Sequence, residues 1–173
     1  MPNPRLQQQT PPRWSNMPET VLKQAKDRCY RLLAYRSRTV HEMKTRLEKA
    51  GFSESVIEAV LAQLTEQRLL DDESFARDWI KRRLATKPVG VRYLWAELLQ
   101  KGINREIIAD ELRIYDEDCE YEAAMRLAYG KMNRGTKVKW HRIAGLLSRR
   151  GFSGSVINKV YRTIVEDGRF DIS

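Results

Sequence analysis

A short segment recurs three times in this chain at a nearly constant interval. Its copies span residues 43–57, 94–108 and 143–157, and each contains one glycine at the same position, namely Gly51, Gly102 and Gly151. A leucine stands four positions before each glycine, and an isoleucine stands six positions after it. Repetition with a period of about fifty residues is typical of chains that stack copies of one supersecondary unit.

The residues around each glycine match the end of one helix and the start of the next. A glycine just past a helix can adopt the left-handed conformation that closes a Schellman turn. The apolar residue after the glycine would contact the preceding leucine, as in a Schellman turn. The same residue stands just before the next N-cap, so it would also contact the following isoleucine as a hydrophobic staple. We therefore predict a positive φ at all three glycines. The expected N-caps are Ser53, Asn104 and Ser153.

A further amphipathic helix precedes each copy, over residues 18–36, from Asp71-Asp72 onward, and over residues 116–132. Thr39 and Glu42 match a capping box before the second helix of the first unit. No strand pattern occurs. The sequence predicts an all-α fold of three tandem three-helix repeats, about nine helices in all, in an elongated curved array. The expected boundaries are a flexible N-terminal tail at 1–16 and repeats at 17–70, 71–115 and 116–168.

The charge balance favours a polyanionic partner. Among 173 residues, 32 Lys and Arg face 23 Asp and Glu, which leaves a net charge of +9. The only two cysteines, Cys29 and Cys119, form no CxxC motif, which is typical of a reducing compartment. No apolar run approaches the length of a membrane span, and the N-terminus does not resemble a secretory signal. We expect a cytoplasmic monomer that has no membrane partner.

The sequence lacks the common motifs of catalytic, metal-binding and nucleotide-binding sites. His41 and His141 stand outside any metal-ligand spacing, and no glycine-rich phosphate-binding loop occurs. The acidic cluster Asp71-Asp72-Glu73 directly precedes an apolar helix pattern, which favours helix capping over metal binding. The sequence therefore predicts a protein that is not an enzyme and that has no catalytic residue, metal or cofactor.

Two long stretches contain no acidic residue, namely 79–96 and 123–165. Ordinary solvated helices mix both signs of charge, so these stretches indicate a binding surface for an anion. The first predicted unit differs, because its glutamates balance its cations. The predicted partner-binding residues form two groups, Arg82, Arg83, Lys87 and Arg92 in one, and Lys137, Lys139, Arg142, Arg149 and Arg150 in the other, with Lys101 as a further predicted contact.

Residues 70–79 (LDDESFARDW), Arg83 and residues 90–103 (GVRYLWAELLQKGI) resemble the central signature of RecX proteins. Arg36-Ser37-Arg38 with Gly51-Phe52 resembles the first repeat of that family, and residues 149–152 resemble its last. The resemblance covers about residues 20 to 165; Trp95 is bulkier than the family pattern, and the tail is an extension. It implies a fold of three-helix repeats that binds along the groove of the RecA–DNA filament. It also implies inhibition of RecA strand exchange, ATPase and coprotease activity, with no catalytic residues.

Other functions remain open at this point. The segment around Gly102-Ile103-Asn104 is similar in outline to a helix-turn-helix, which would make the chain a direct DNA-binding protein. A helical scaffold with an unrelated partner is a further alternative. If the RecX resemblance holds, the partners are the RecA filament and, through the basic face, single-stranded or duplex DNA. Capping, groove occupation and filament disassembly all stay open as mechanisms.

Overall fold

The computed structural model describes residues 18–132 and 139–166, and within them the chain forms nine α-helices and no strand. The predictions of an all-α fold and of about nine helices are confirmed for this part of the chain. The tail predicted at 1–16 lies outside the described residues. The helices are α1 (Glu19–Tyr35), α2 (Val40–Glu48), α3 (Glu54–Glu66), α4 (Asp72–Thr86), α5 (Val91–Gln100), α6 (Arg105–Leu112), α7 (Glu117–Met132), α8 (Trp140–Arg149) and α9 (Gly154–Glu166).

The chain divides into two compact units, with the boundary between Asp71 and Asp72. Helices α1 to α3 form the first unit around a core that includes Met43, Leu47 and Ile57. Helices α4 to α9 form the second unit. Its core runs without interruption from Phe75 in α4 to Ile164 in α9, so the helices of the predicted second and third repeats share one hydrophobic core.

All three glycines of the repeated segment end a helix in the left-handed conformation. Their φ angles are 82° at Gly51, 75° at Gly102 and 78° at Gly151, which confirms the predicted positive values. In each copy the amide of the following residue donates to the carbonyl of the leucine four positions before the glycine, as a Schellman turn requires. These bonds run from Phe52 to Leu47 (3.3 Å), from Ile103 to Leu98 (3.1 Å) and from Phe152 to Leu147 (3.2 Å).

Most of the predicted N-caps also form. The side chain of Thr39 accepts a hydrogen bond from the amide of Glu42 at 3.0 Å. In the same way, the side chain of Asn104 accepts one from the amide of Glu106 at 2.9 Å, and that of Ser153 accepts one from the amide of Val156 at 3.3 Å. Ser53 is the exception, because it makes no side-chain cap hydrogen bond. Its hydroxyl lies 3.2 Å from the hydroxyl of Ser55.

The arginines between α1 and α2 have a structural role. Arg38 is buried, and its Nε donates to the carbonyl of Leu32 in the last turn of α1 at 3.3 Å. Desolvation by this burial lowers the pKa of Arg38 from its usual value. Arg36 forms an ion pair with Glu42 of α2 at 2.8 Å. Both arginines therefore hold α1 and α2 in a fixed arrangement.

Exchanging Gly102 for alanine should destabilise the second unit by about 1 kcal/mol, because a side chain is disfavoured at a left-handed position. The matched control is Gly130→Ala, an exposed position inside α7 of the same unit, where alanine should stabilise the helix by about 0.5 kcal/mol. Denaturant titration followed by circular dichroism measures both changes. Equal effects of the same sign would contradict the role assigned to Gly102.

Candidate polyanion-binding surface

The carboxylate of Glu120 joins three helices of the second unit, and the residue is only 4% exposed. Its Oε1 accepts hydrogen bonds from the amides of Val91 and Ser153, each at 3.1 Å, and its Oε2 accepts one from the Ser153 hydroxyl at 3.1 Å. Val91 begins α5 and Ser153 directly precedes α9, so a side chain of α7 satisfies amides at two helix N-termini. A buried carboxylate is stable only with such donors, and the helix dipoles add to the attraction.

Two glycines bring the backbone of α5 against the turn that follows α8. The amide of Gly90 donates to the carbonyl of Arg150 at 2.8 Å, and the amide of Arg92 donates to that of Gly151 at 3.2 Å. A Cβ atom at Gly90 would lie 2.3 Å from the oxygen of Gly151, and one at Gly151 would lie 2.4 Å from the amide nitrogen of Tyr93. Packing therefore requires glycine at both positions, in addition to the left-handed φ of Gly151.

This backbone contact brings one residue of the first predicted group, Arg92, beside two residues of the second, Arg149 and Arg150. Arg92 lies exposed in the first turn of α5, and Arg149 and Arg150 lie at the end of α8. Within the described residues, none of the three forms an ion pair with an acidic side chain. We refer to Arg92, Arg149 and Arg150 as the basic joint.

Further cations continue from the basic joint along α8. Arg142 stands seven positions before Arg149, which places both on the same side of the helix. A Cβ atom at Gly145, between them, would lie 3.3 Å from the Arg149 guanidinium, so that side chain lies back over Gly145. Lys139 is the exposed N-cap residue of α8. Lys137, which the sequence also predicts to bind the partner, lies outside the described residues.

Two more predicted residues lie at the C-terminal end of α4. Arg82 and Lys87 are both exposed, and the amide of Lys87 donates to the carbonyl of Arg83 at 2.9 Å. Neither side chain has an acidic partner in the part of the chain that the structure describes. Their charges are therefore available to an external anion.

Arg83 and Lys101 occupy a different environment, around the ring of Trp79. Arg83 forms an ion pair with Glu97, and its guanidinium lies 5.9 Å from the Trp79 ring centroid and 5.6 Å from that of Tyr93. Lys101 Nζ lies 4.8 Å from the Trp79 centroid. Burial opposes ionisation of Glu97, but hydrogen bonds from Arg83 and Trp79 outweigh it and hold the pKa of Glu97 below its usual value. The charge of Arg83 is thus balanced within the protein, where it links α4 to α5.

Comparison with known proteins places the chain in a family. Residues 25–64 match the first three-helix domain of RecX, and residues 71–112 match the second. A regulatory protein RecX from Mycolicibacterium smegmatis is 39% identical over 148 residues, which cover 80% of this chain and 78% of the relative. The chain belongs to the RecX family. This confirms the resemblance and, because the family is one of regulatory proteins, the prediction that the chain is not an enzyme.

Further RecX proteins agree with this assignment. The regulatory protein RecX of Amycolatopsis mediterranei is 33% identical over 139 residues, covering 78% of this chain and 79% of the relative. The crystal structure of RecX from Lactobacillus salivarius superposes with a TM-score of 0.79 at 22% identity, over 84% of this chain and 97% of that one. A second RecX crystal structure gives a TM-score of 0.72 at 25% identity, over 82% and 72% of the two chains. The helical fold is therefore the RecX fold.

Among the described residues, no three His, Cys, Asp or Glu side chains cluster in a way that could hold a metal ion. None of the described helices has both the length and the apolar character that crossing a membrane demands.

Replacing Glu120 by alanine in this RecX-family chain should destabilise the second unit by about 3 kcal/mol, because two part-buried amides lose a charged acceptor. The control is Glu122→Ala on the same helix, an exposed change that should alter the free energy of unfolding by no more than about 0.5 kcal/mol. Ser153→Ala should lower the free energy of unfolding by an amount between those of the two glutamate variants, since it removes only the hydroxyl donor. Indistinguishable unfolding curves for the two glutamate variants would refute the role of Glu120.

Proposed function

We propose that this chain binds the RecA–DNA filament in the cytoplasm and restrains RecA, with the basic joint in contact with filament DNA phosphate. The observation that carries the proposal is that backbone contacts bring Arg92 of α5 beside Arg149 and Arg150 at the end of α8, while none of the three pairs with an acidic side chain among the described residues. Membership of the RecX family supports RecA as the regulated protein.

Arginine suits this role because its planar guanidinium donates two parallel hydrogen bonds to a phosphate. Arg142 and Lys139 extend the same charge along α8, and Arg82 and Lys87 add two exposed cations around the C-terminal end of α4. Each phosphate that such a side chain neutralises releases a condensed counterion, which favours binding at low salt. The net charge of +9 steers the protein toward the filament before contact forms.

Regulation requires more than attachment. A bound protein shifts filament assembly only if its affinity differs between filament states. A protein that occupies phosphates which the filament must expose or rearrange during strand exchange favours the state that keeps them in place. Slower extension, strand exchange and ATP hydrolysis, and lower coprotease activity, would follow from that preference.

The helix-turn-helix alternative receives less support from the site. Its second helix, α6, would have to enter the major groove, where DNA presents a strongly negative potential. That helix carries Glu106, Asp110 and Glu111 against the single cation Arg105. Glu111 also forms an ion pair with Arg77 of α4 at 2.6 Å, so α6 serves the packing of the unit.

Purified protein should slow RecA-dependent strand exchange and ATP hydrolysis on single-stranded DNA at near-equal amounts of the two proteins. Reversing Arg149 and Arg150 together to glutamate should weaken this inhibition by about tenfold or more, which corresponds to at least about 1.4 kcal/mol. The matched control reverses Lys23 and Lys26 in α1 of the charge-balanced first unit. Circular dichroism verifies that both variants stay folded.

Two outcomes would overturn these assignments. An unmodified protein that leaves RecA unaffected at every ratio, yet binds DNA alone, would favour the direct DNA-binding function. A control reversal that abolishes inhibition, beside an Arg149/Arg150 reversal that retains it, would show that the contact surface lies in the first unit.

A further inference from the structure

An apolar groove of about 320 Å³ lies in the second unit, and no residue of the basic joint lines it. One wall is α4, where Ile80 and Leu84 stand one turn apart, and the opposite wall is α7. The segment between α6 and α7 closes one end with Ile114 and Tyr115. One helical turn spans about 6 Å, so the groove accommodates one or two apolar side chains and not a whole helix.

Ile114 stands at the rim of this groove with 78% of its surface exposed. The adjacent Tyr115 is only 7% exposed, and its hydroxyl donates to the carbonyl of Val89 at 2.9 Å. This anchor fixes the backbone on which Ile114 stands, so the exposed position of Ile114 is imposed by the fold. An apolar side chain held in water beside an apolar groove is the pattern of a protein interaction site.

The charges around the groove favour an occupant with a carboxylate. Lys81 on α4 and Arg126 on α7 have no acidic partner in the described ranges, and Glu122 is the one unpaired acid of the lining. Arg77 and Glu111 pair with each other at 2.6 Å and contribute no net charge. The lining therefore keeps one net positive charge.

We propose that this groove binds an apolar side chain flanked by a carboxylate on the surface of a protein partner. This inference rests on the proposed function, under which the partner is a RecA subunit. The aliphatic walls suit a hydrophobic anchor and offer little to a nucleic acid, whose phosphates the basic joint can bind. The second unit thus has one surface for DNA and another for protein.

The first test measures inhibition of RecA strand exchange by Ile114→Glu. A carboxylate at the rim should repel the partner's own carboxylate and weaken inhibition by about tenfold. The matched control is Leu69→Glu, because Leu69 is an exposed apolar residue of the first unit that lies outside the groove. This control variant should inhibit RecA as strongly as the unmodified protein does. Ordinary inhibition by Ile114→Glu would overturn the proposal.

The second test uses Cys119, an exposed thiol that lines the groove. The only other cysteine of the chain, Cys29, is buried, and burial raises its pKa to about 11, so a maleimide reacts at Cys119. A hydrogen bond with Asp116 raises the pKa of Cys119 as well, so all samples are compared at one near-neutral pH, at which a maleimide stays selective for thiols. RecA–DNA filaments should slow the reaction by about tenfold, and DNA alone should leave it unchanged.

The outcomes separate the groove from the proposed function. Protection by DNA alone would identify the groove as a nucleic-acid site and overturn the inference. Inhibition of RecA without protection of Cys119, and with full inhibition by Ile114→Glu, would overturn the groove and keep the proposed function. A protein that neither inhibits RecA nor is protected by filaments would overturn both.

Discussion

A buried carboxylate and two glycines determine how the second unit is assembled. Glu120 satisfies amides at the start of α5 and before α9, and Gly90 and Gly151 let those backbones lie in direct contact. No side chain fits at either glycine without moving backbone atoms. This constraint also sets the position of Arg92 relative to Arg149 and Arg150, so the geometry of the candidate surface depends on residues that need not touch a partner.

The helix ends could be predicted from the sequence because their interactions are local. A Schellman turn and an N-cap involve residues within six positions of one another, so three copies of one pattern identify them. Gly51, Gly102 and Gly151 have the predicted left-handed conformation for this reason. Ser53 shows the limit of the pattern, because it forms no side-chain cap although Ser153 does so at the equivalent position.

The contacts between repeats could not be predicted in this way, because they join residues far apart in the chain. Glu120 stands in an acidic first turn of α7 and resembles its exposed neighbours in sequence, although it alone of that turn is buried. Arg83 lies in a stretch without acids, yet its partner Glu97 comes directly after that stretch. An acid-free run therefore indicates excess charge but does not show which cations are already paired within the fold.

Under the proposed function, Arg92 and Arg150 both contact filament DNA phosphate. The salt dependence of binding to RecA filaments on single-stranded DNA tests it most directly, with unmodified protein compared to Arg92→Gln/Arg150→Gln. Loss of two single-strand phosphate contacts should lower the slope of log affinity against log salt by about 1.4. An unchanged slope, with affinity reduced equally at every salt concentration, would contradict the claim and place the counter-charge elsewhere.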